Sequence, residues 1–331
     1  MRMTSFRRSG IALAGLAVAA LTLSACSSSP AETESGDDAK ASYKIGVSQF
    51  VQHPALDAAT EGFKQAFDDA DIDVEWDDQN ANGDQATAVS IAQSFSSADL
   101  DLVLAAATPS AQTAAQAITD KPILFTAVTD AVEAQLVASN EAPGGNITGT
   151  SDLAPFDEQL ALLQEVVPGA KKVGIVYASG EVNSQVQVDA VTEAAGPLGL
   201  EVVTKTVTTA NDIAAATEAL GDVDAIYVPT DNMVVAGLAS LVQVAEDKQI
   251  PVIGAEAGTV ENGAVITLGI DYTKLGYQTG EMAIKVLEGA ETATMPVEVS
   301  KEFAYVVNED AAKRMGATIP EAILAEAEKV E

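Results

Sequence analysis

The sequence has very few of the side chains from which catalytic and metal centres are built. Its 331 residues include one cysteine, Cys26, one histidine, His53, and one tryptophan, Trp76. A single cysteine excludes an intrachain disulfide, and a single histidine excludes a two-histidine metal motif. A Ser–His–Asp triad would have to use His53, which precedes Pro54 and is more typical of a helix entry. Because a glycine-rich phosphate loop is also missing, the sequence favours a protein without catalytic activity, cofactor or metal.

Basic residues are scarce as well. Lysine and arginine number 17 against 49 aspartate and glutamate residues, and the formal net charge is −32. A surface of this charge repels phosphate backbones, which argues against nucleic acid as a partner. It also opposes direct docking on anionic lipid, which makes a covalent anchor useful. We interpret the acidity itself as a property of a solvated surface.

The longest apolar run lies near the N-terminus and is too short to span a membrane comfortably. Ile11 to Leu23 supplies thirteen nearly continuous apolar residues after Arg2, Arg7 and Arg8, whereas a membrane span needs about 20. This order predicts a signal peptide over residues 1–25. The ending LSAC resembles the lipobox of bacterial lipoproteins, which implies lipidation at Cys26. An ordinary signal cleaved near Ala25 is the alternative.

The segment after the signal is small, polar and acidic. Residues 26–42 have no apolar periodicity, which predicts a disordered tether between the lipid and a folded body. The protein is therefore expected on the extracytoplasmic face of the cell membrane, held there by its lipid.

From Tyr43 onward, short β-branched runs alternate with helical stretches. Lys44 to Ser48 is a predicted strand, and Pro54 to Ala70 places apolar residues on one helical face. The pattern restarts at Lys172, where KVGIVY echoes KIGVS. Strands separated by helices predict parallel βαβ units. The sequence therefore predicts an α/β fold with two Rossmann-like lobes, each built on a parallel sheet.

The C-terminal part predicts that the chain crosses between these lobes several times. A helix over Tyr272 to Leu287 and a strand over Phe303 to Val307 follow the second half. We expect lobe 1 to comprise residues 43–150 plus about 271–300, and lobe 2 to comprise 151–270 plus about 301–331, with the assignment of the tail left open. Hinges are expected near Thr150 to Asp152, Gly269 to Tyr272 and Ser300, so that the lobes close around a ligand.

Polar segments follow the predicted strands. They are residues 48–54, 108–110, 126–130, 179–184, 229–232 and 256–258. Ligands of open parallel sheets bind beyond the carboxyl ends of the strands, and a helix N-terminus suits a ligand carboxylate. Acidic groups from the facing half would suit an ammonium, so the pattern predicts a small zwitterion. Ser110, Asn183 and Asp231 are also residues that commonly cap helices.

Several of these segments resemble one known family. SQFVQHPALDAATEGF, AAATPSAQTAA, KKVGIVYASGEVNSQVQV and DAIYVPTDNMV are similar to motifs of the tryptophan/tyrosine-type substrate-binding lipoproteins of ABC importers, and the similarity runs from Lys44 to Val307. The resemblance implies a type I periplasmic-binding-protein fold with a hinge and a ligand buried in the cleft. It also implies an amino-acid ligand, aromatic in character, and an ABC permease as partner.

The resemblance carries over a set of ligand-binding residues. Hydroxyls and helix-start amides near Thr108 to Ser110 and Asn183 to Ser184 are expected to hold the ligand carboxylate, and Asp231 or Glu256 its ammonium. Asp130 is followed by Ala131, where relatives commonly carry proline, so this loop is expected to be less rigid. The complete set is Ser48, Gln49, Thr108, Ser110, Thr129, Asp130, Asn183, Ser184, Asp231, Asn232 and Glu256.

The sequence thus predicts a monomeric solute receptor that delivers an amino acid to a permease. A sugar- or nucleoside-binding protein of the same fold is one alternative, although such clefts commonly stack the ring between aromatic residues, which make up only 5% of this chain. A ligand-sensing module for a membrane kinase is a second alternative, and an extracellular hydrolase is a third.

Overall fold

The computed structural model describes residues 42–300 and 302–330. The predicted signal peptide, the lipidation of Cys26 and all of the tether except Ser42 lie outside the described residues. Among the described residues no helix is both long enough and apolar enough to span a membrane.

The first part of the chain alternates between strands and helices as far as its fourth strand, which a loop connects to the fifth. His53 caps the first helix by accepting the backbone N–H of Leu56, and Pro54 occupies its first turn, where a missing N–H costs nothing. This arrangement confirms His53 as a helix-entry residue. The elements are β1 (Ser42–Gln49), α1 (Pro54–Asp69), β2 (Asp73–Asn80), α2 (Gln85–Ser97), β3 (Leu102–Ala106), α3 (Thr108–Ala117), β4 (Ile123–Thr126) and β5 (Ile147–Ser151).

The second part repeats this alternation. Its strands are largely buried because helices cover both faces of the sheet, as a parallel sheet requires. The elements are α4 (Phe156–Val166), β6 (Lys172–Ala178), α5 (Val182–Ala195), β7 (Glu201–Val207), α6 (Ile213–Glu218), β8 (Ala225–Val228), α7 (Asn232–Ala236), α8 (Leu238–Lys248), β9 (Val252–Gly254), α9 (Ala257–Glu261) and β10 (Ile266–Ile270).

The tail returns to each part in turn. Helix α10 packs along α1, and β11 pairs with β5, so both belong with the first part of the chain. Strand β12 then pairs antiparallel with β10 of the second part. The tail elements are α10 (Tyr272–Leu287), β11 (Glu298–Val299), β12 (Phe303–Val307), α11 (Glu309–Arg314), α12 (Glu321–Leu324) and β13 (Glu328–Lys329).

The described strands form two sheets of mostly parallel strands. The first has the order β11-β5-β4-β3-β1-β2, and the second has the order β13-β12-β10-β9-β8-β6-β7. We call the first sheet with its helices the first lobe (residues 42–151 and 272–299) and the second the second lobe (residues 152–270 and 302–330). The chain passes between the lobes after Ser151, after Ile270 and after Val299, near the three positions at which the sequence predicts hinges.

Helices α1 and α10 cross at unusually close range in the first lobe. A Cβ built on Gly276 of α10 would lie 1.8 Å from the carbonyl oxygen of Ala59 in α1, and one built on Gly62 would lie 2.0 Å from that of Thr273. Only glycine permits this approach of two backbones. The crossing fixes the start of α10, where the chain returns from the second lobe, against the first lobe.

Trp76 lies on the edge strand β2 and is only partly buried. Its ring packs edge-on against Phe67, with ring centroids 5.5 Å apart, and the ammonium of Lys64 lies 5.3 Å from its centroid. Trp76 is therefore a packing residue of the first lobe.

Candidate functional site

The carboxyl ends of the two sheets face each other across a cleft, and side chains from both lobes meet there. Nε2 of His53 in the first lobe lies 3.4 Å from Oδ1 of Asn232 in the second. Nε2 of Gln187 donates to Oγ1 of Thr129 across the cleft at 3.3 Å. These contacts show that the lobes are closed on each other.

A small cavity lies between the lobes and the first two crossings. Its volume is about 10 Å³, which accommodates one water-sized group. Both lobes and the crossings contribute to its wall, principally through His53, Ala127, Asn183, Asn232, Asp152 and Tyr272.

A much larger cavity opens beside it, at the end of the cleft farthest from the crossings. Its volume is about 620 Å³, and it lies next to the loops that follow the edge strands β2 and β7. Asn232 borders both cavities. The wall of the larger cavity includes apolar side chains from both lobes, namely Phe50, Pro109, Val207 and Met233. Glu181 also borders this cavity. Phe125, Tyr177 and Tyr227, aromatic residues that the sequence also places at strand ends, do not border it.

Three of the predicted site residues of the first lobe surround the start of α3. Oγ of Ser48 lies 3.5 Å from Oγ of Ser110, and both residues are buried. The buried Oγ1 of Thr108 has no hydrogen-bond partner. Gln49 instead turns toward α1, where its amide contacts Asp57 at 2.7 Å and Thr60 at 2.9 Å.

Two alanines at strand ends hold strained backbone conformations beside this region. Ala107, just before α3, has φ +81°, and Ala127, just after β4, has φ +57°. Non-glycine residues rarely adopt such angles, and where they do the strain is concentrated at functional sites. At these two positions it turns the chain so that α3 and the loop after β4 begin at the cleft.

The loop after β4 contains the remaining predicted residues of the first lobe. Thr129 faces the cleft and accepts the bond from Gln187. The carboxylate of Asp130 accepts the backbone N–H groups of Val132 at 2.9 Å and Glu133 at 3.0 Å. Asp130 thus caps the following turn, which orders the loop although Ala131 is not proline.

Asp231 of the second lobe has three internal donors. Its Oδ2 accepts the N–H of Ala178 at 2.5 Å and the hydroxyl of Ser184 at 2.7 Å, and its Oδ1 caps α7 through the N–H of Val234 at 2.8 Å. Asp231 is completely buried, and burial raises the pKa of its carboxyl. The side chain therefore joins the end of β6 to the starts of α5 and α7.

Glu256 is held in a similar way. Its carboxylate accepts the N–H of Gly258 at 2.6 Å and the hydroxyl of Thr259, and thereby caps α9. The residue also borders the small cavity. Burial raises the pKa of its carboxyl.

The sequence did not identify Glu181 as a site residue. Its carboxylate accepts N–H groups from Asn183 at 3.0 Å, from the side chain of Asn232 at 2.6 Å and from the backbone of Met233 at 3.1 Å. Burial first, and the nearby charge of Asp231 second, raise the pKa of Glu181 to about 7. Its segment, residues 179–184, was among those predicted to border the ligand, but nothing in the sequence distinguished it from a surface glutamate.

Asp152, at the first crossing, is the second residue that was missed. Its Oδ2 accepts the hydroxyl of Tyr272 at 2.6 Å, which ties the first crossing to the second. Its Oδ1 is buried and has no partner. Burial raises the pKa of the Asp152 carboxyl, against the effect of the bond from Tyr272.

The arrangement suits the recognition of a small polar molecule. Among the described residues, no group of three or more His, Cys, Asp and Glu side chains is arranged to hold a metal ion. Four buried side-chain atoms of the described residues lack a partner, and three of them, on Thr108, Asp152 and Asn183, lie at the cleft. Buried polar atoms are normally paired, so unpaired ones at a cleft mark positions where a ligand completes the bonding.

The similarity to known proteins covers almost the whole described fold. The family model for ABC transporter substrate binding proteins matches residues 44–331. A curated relative, the tyrosine-binding protein of Clostridioides difficile (strain R20291), is 43% identical over 302 residues, which is 88% of each chain. The structure of an ABC domain in complex with L-Trp from Streptococcus pneumonia is 37% identical with a TM-score of 0.85, covering 88% of this chain and 100% of that one.

A third relative differs in shape. The ligand-free, open structure of a Clostridium difficile substrate binding protein with adhesive properties is 44% identical, yet its TM-score is 0.68, with coverage of 87% of this chain and 99% of that one. This relative is more similar in sequence than the L-Trp complex but has a lower TM-score, which indicates that its lobes are arranged differently from those of this chain. This agrees with the contacts that close the cleft here.

The fold, the cleft and the extent of these similarities establish that the chain belongs to the ABC transporter substrate binding protein family, whose members bind solutes for transport and are not enzymes.

Proposed function

We propose that this protein captures an aromatic amino acid between its lobes and delivers it to the permease of an ABC importer. The observation that carries the proposal is the pair of adjoining cavities in the cleft. The large one is bordered by apolar side chains from both lobes, and the small one is bordered by Asp152, Asn183 and Asn232. An aromatic amino acid has the same division between a ring and a charged end.

The larger cavity supports the aromatic part of the proposal. A volume of about 620 Å³ lies within the range of pockets that hold small ligands, about 300–1,000 Å³. Phe50, Pro109, Val207 and Met233 offer apolar surface to a ring. The relative named as a tyrosine-binding protein and the relative crystallised with L-Trp support the same ligand class.

The start of α3 supports binding of the ligand carboxylate. Thr108 and Ser110 occupy the first turn of this ten-residue helix, where N–H groups are unpaired and the helix dipole favours an anion. The free Oγ1 of Thr108 adds a hydroxyl donor. On this proposal Thr108 and Ser110 bind the carboxylate from the first lobe, while Asn183 and Asn232 contact the ligand from the second. For the other residues predicted from the sequence, binding stays a prediction.

We also propose that the protein is a lipoprotein anchored through Cys26 on the extracytoplasmic face of the membrane. The LSAC sequence and the acidic segment 26–42 support this. A flexible tether keeps a receptor at high effective concentration beside its permease.

A thermal-shift screen tests the ligand. A compound that binds only the folded state stabilises it by about 2.7 kcal/mol at a hundred times its dissociation constant. With protein produced from Ser27 onward, L-tyrosine or L-tryptophan should raise the melting temperature most among the twenty amino acids, common sugars and nucleosides. A shift with a sugar or nucleoside and none with any amino acid contradicts the proposal.

Metabolic labelling with a radioactive fatty acid tests the anchor. The full-length chain should incorporate the label and fractionate with membranes, whereas the Cys26→Ser variant should remain unlabelled. A wild-type chain that stays unlabelled while being exported contradicts the lipoprotein assignment but leaves the ligand proposal intact.

A further inference from the structure

Two residues that border the small cavity each have an unpaired polar atom. Asp152 and Asn183 both border the small cavity, and both are buried, with 3% and 4% of their surface exposed. Oδ1 of Asp152 and Oδ1 of Asn183 each lack a hydrogen-bond partner. Leaving a buried acceptor unpaired is unfavourable, so a ligand that donates to both atoms would stabilise the complex.

The bonding of Asn183 determines which end of its amide is free. Its Nδ2 donates to Oε2 of Glu181 at 3.0 Å and to the carbonyl of Thr230 at 3.1 Å, and it lies 3.3 Å from Oγ of Ser184. The carbonyl of Thr230 cannot donate, so the amide nitrogen of Asn183 has to face it. The atom left over is therefore an acceptor.

The orientation of Asp152 is fixed in the same manner. The Tyr272 hydroxyl donates to Oδ2 at 2.6 Å, which leaves Oδ1 as the free oxygen. Tyr272 also borders the small cavity. The two free atoms are thus both acceptors, one a carboxylate oxygen and one an amide carbonyl.

A space of this kind suits a small cation that only donates hydrogen bonds. The volume, about 10 Å³, admits one water-sized group, and an ammonium group is of that size and carries three N–H donors. A sugar hydroxyl has one proton and could satisfy only one of the two acceptors by donation. Asp231 and Glu256, the residues first expected to fill this role, direct their carboxylates to caps within the second lobe.

We propose that Asp152 and Asn183 bind the α-ammonium group of the amino-acid ligand, Asp152 through a charge-assisted bond from Oδ1 and Asn183 through its amide carbonyl. This inference rests on the proposed function, and it assigns the ammonium site. Asp152 lies at the first crossing and Asn183 at the start of α5, so the ammonium joins the crossing to the second lobe. Asn232, which borders the same cavity, contacts His53 of the first lobe. The bound ammonium would therefore lie beside a contact that holds the two lobes together.

The test compares three ligands by titration calorimetry. L-tryptophan carries both charged groups, indole-3-propionate lacks the ammonium, and L-tryptophanamide keeps the ammonium but lacks the carboxylate. Wild-type protein should prefer L-tryptophan over indole-3-propionate by about a hundredfold or more. Asp152→Asn would turn an amide N–H₂ toward the cavity, and it should weaken L-tryptophan and L-tryptophanamide at least about thirtyfold while leaving indole-3-propionate within about threefold. Asp157→Asn, an equal change of charge at an exposed residue of α4, is the matched control and should bind all three ligands as wild type does.

The outcomes separate this inference from the proposed function. A folded Asp152→Asn protein that binds L-tryptophan within threefold of wild type overturns the ammonium site. If the variant does not fold, the wild-type protein decides. A wild-type affinity for L-tryptophan about a hundredfold or more above that for indole-3-propionate supports the site, and equal affinity for the two ligands overturns it. A wild-type protein that binds neither tryptophan nor tyrosine shows instead that the proposed function is wrong.

Discussion

Nε2 of His53 lies 3.4 Å from Oδ1 of Asn232, and this contact joins the two lobes across the cleft. On the Nδ1 side, the same ring caps α1 through the backbone N–H of Leu56. The only histidine of the chain is thus fixed by the start of a helix and reaches the opposite lobe. Its role here is to hold the closed form, which requires no catalysis.

Removing this contact should weaken ligand binding without unfolding the protein. His53→Ser keeps a side chain able to cap α1 but cannot reach Asn232. We expect affinity for the amino-acid ligand to fall about threefold to tenfold, because a hydrogen bond contributes about 0.5–1.5 kcal/mol. Calorimetry measures the affinity, and small-angle scattering of the unliganded protein should show a larger radius of gyration. Unchanged affinity and unchanged radius would show that the contact does not stabilise closure.

The stability of the fold should rise as the pH is lowered from 8 to about 6. Burial raises the pKa of the Asp152, Glu181, Asp231 and Glu256 carboxyls, that of Glu181 to about 7. Between the ordinary carboxyl pKa near 4 and this value, the native state binds more protons than the unfolded state, so stability decreases as pH increases. His53, whose pKa burial lowers, acts in the opposite direction below about pH 6.5.

Scanning calorimetry at pH 6 and pH 8 checks this expectation. The melting temperature should be at least about 3 °C higher at pH 6, since one proton of difference changes stability by about 1.4 kcal/mol per pH unit and each kcal/mol shifts the midpoint by about 2–4 °C. Glu181→Gln should reduce this pH dependence, whereas Glu158→Gln, at an exposed position, should retain it. A higher midpoint at pH 8 than at pH 6 would contradict the assigned direction.

The close crossing of α1 and α10 should not tolerate a methyl group. In Gly276→Ala the new Cβ would lie 1.8 Å from the carbonyl oxygen of Ala59, and overpacking of this kind costs about 1–3 kcal/mol. Gly145→Ala is the matched control in the first lobe, because no atom lies within 4 Å of its built Cβ. Urea denaturation should show a loss of stability for the first variant and a change below about 0.5 kcal/mol for the second. Equal stabilities would mean that the helices do not cross as described.

Asp231→Ala should primarily destabilise the second lobe. The substitution leaves the N–H groups of Ala178 and Val234 and the hydroxyl of Ser184 without their acceptor. At about 1–3 kcal/mol for each buried unpaired group, the free energy of unfolding should fall by about 3 kcal/mol or more. Asp189→Ala, which removes an exposed carboxylate from α5, should change it little.

Affinity measured on the folded fraction of Asp231→Ala separates the two roles proposed for this residue. A stability loss with affinity close to that of wild type identifies a cap. A loss of at least tenfold in affinity with unchanged stability would instead identify Asp231 as the ammonium partner.

Much of the fold follows directly from local sequence. Buried strands such as Lys172–Ala178 are short β-branched runs, and the restart of the pattern at Lys172 predicts two similar α/β units. The confirmed fold class rests on that alternation. Strand β2 runs from Asp73 to Asn80, and Asp77 to Asn80 pair with β1 although they carry no apolar pattern.

The roles of the site residues could not be predicted in this way, because they depend on hydrogen-bond partners that are far away in the sequence. An aspartate before a helix both caps it and suits a ligand, so the sequence alone could not tell which role Asp231 has. Asp152 becomes significant through Tyr272, 120 residues later, and Glu181 through Asn232, 51 residues later. Local pattern does not contain those contacts.

Titration calorimetry of the wild-type protein with L-tyrosine and L-tryptophan tests the central claim most directly. The account predicts saturable binding of at least one of them at one molecule per chain, together with a decrease in the radius of gyration as the lobes close. No detectable heat with either amino acid, accompanied by saturable binding of a sugar or a nucleoside, would contradict it.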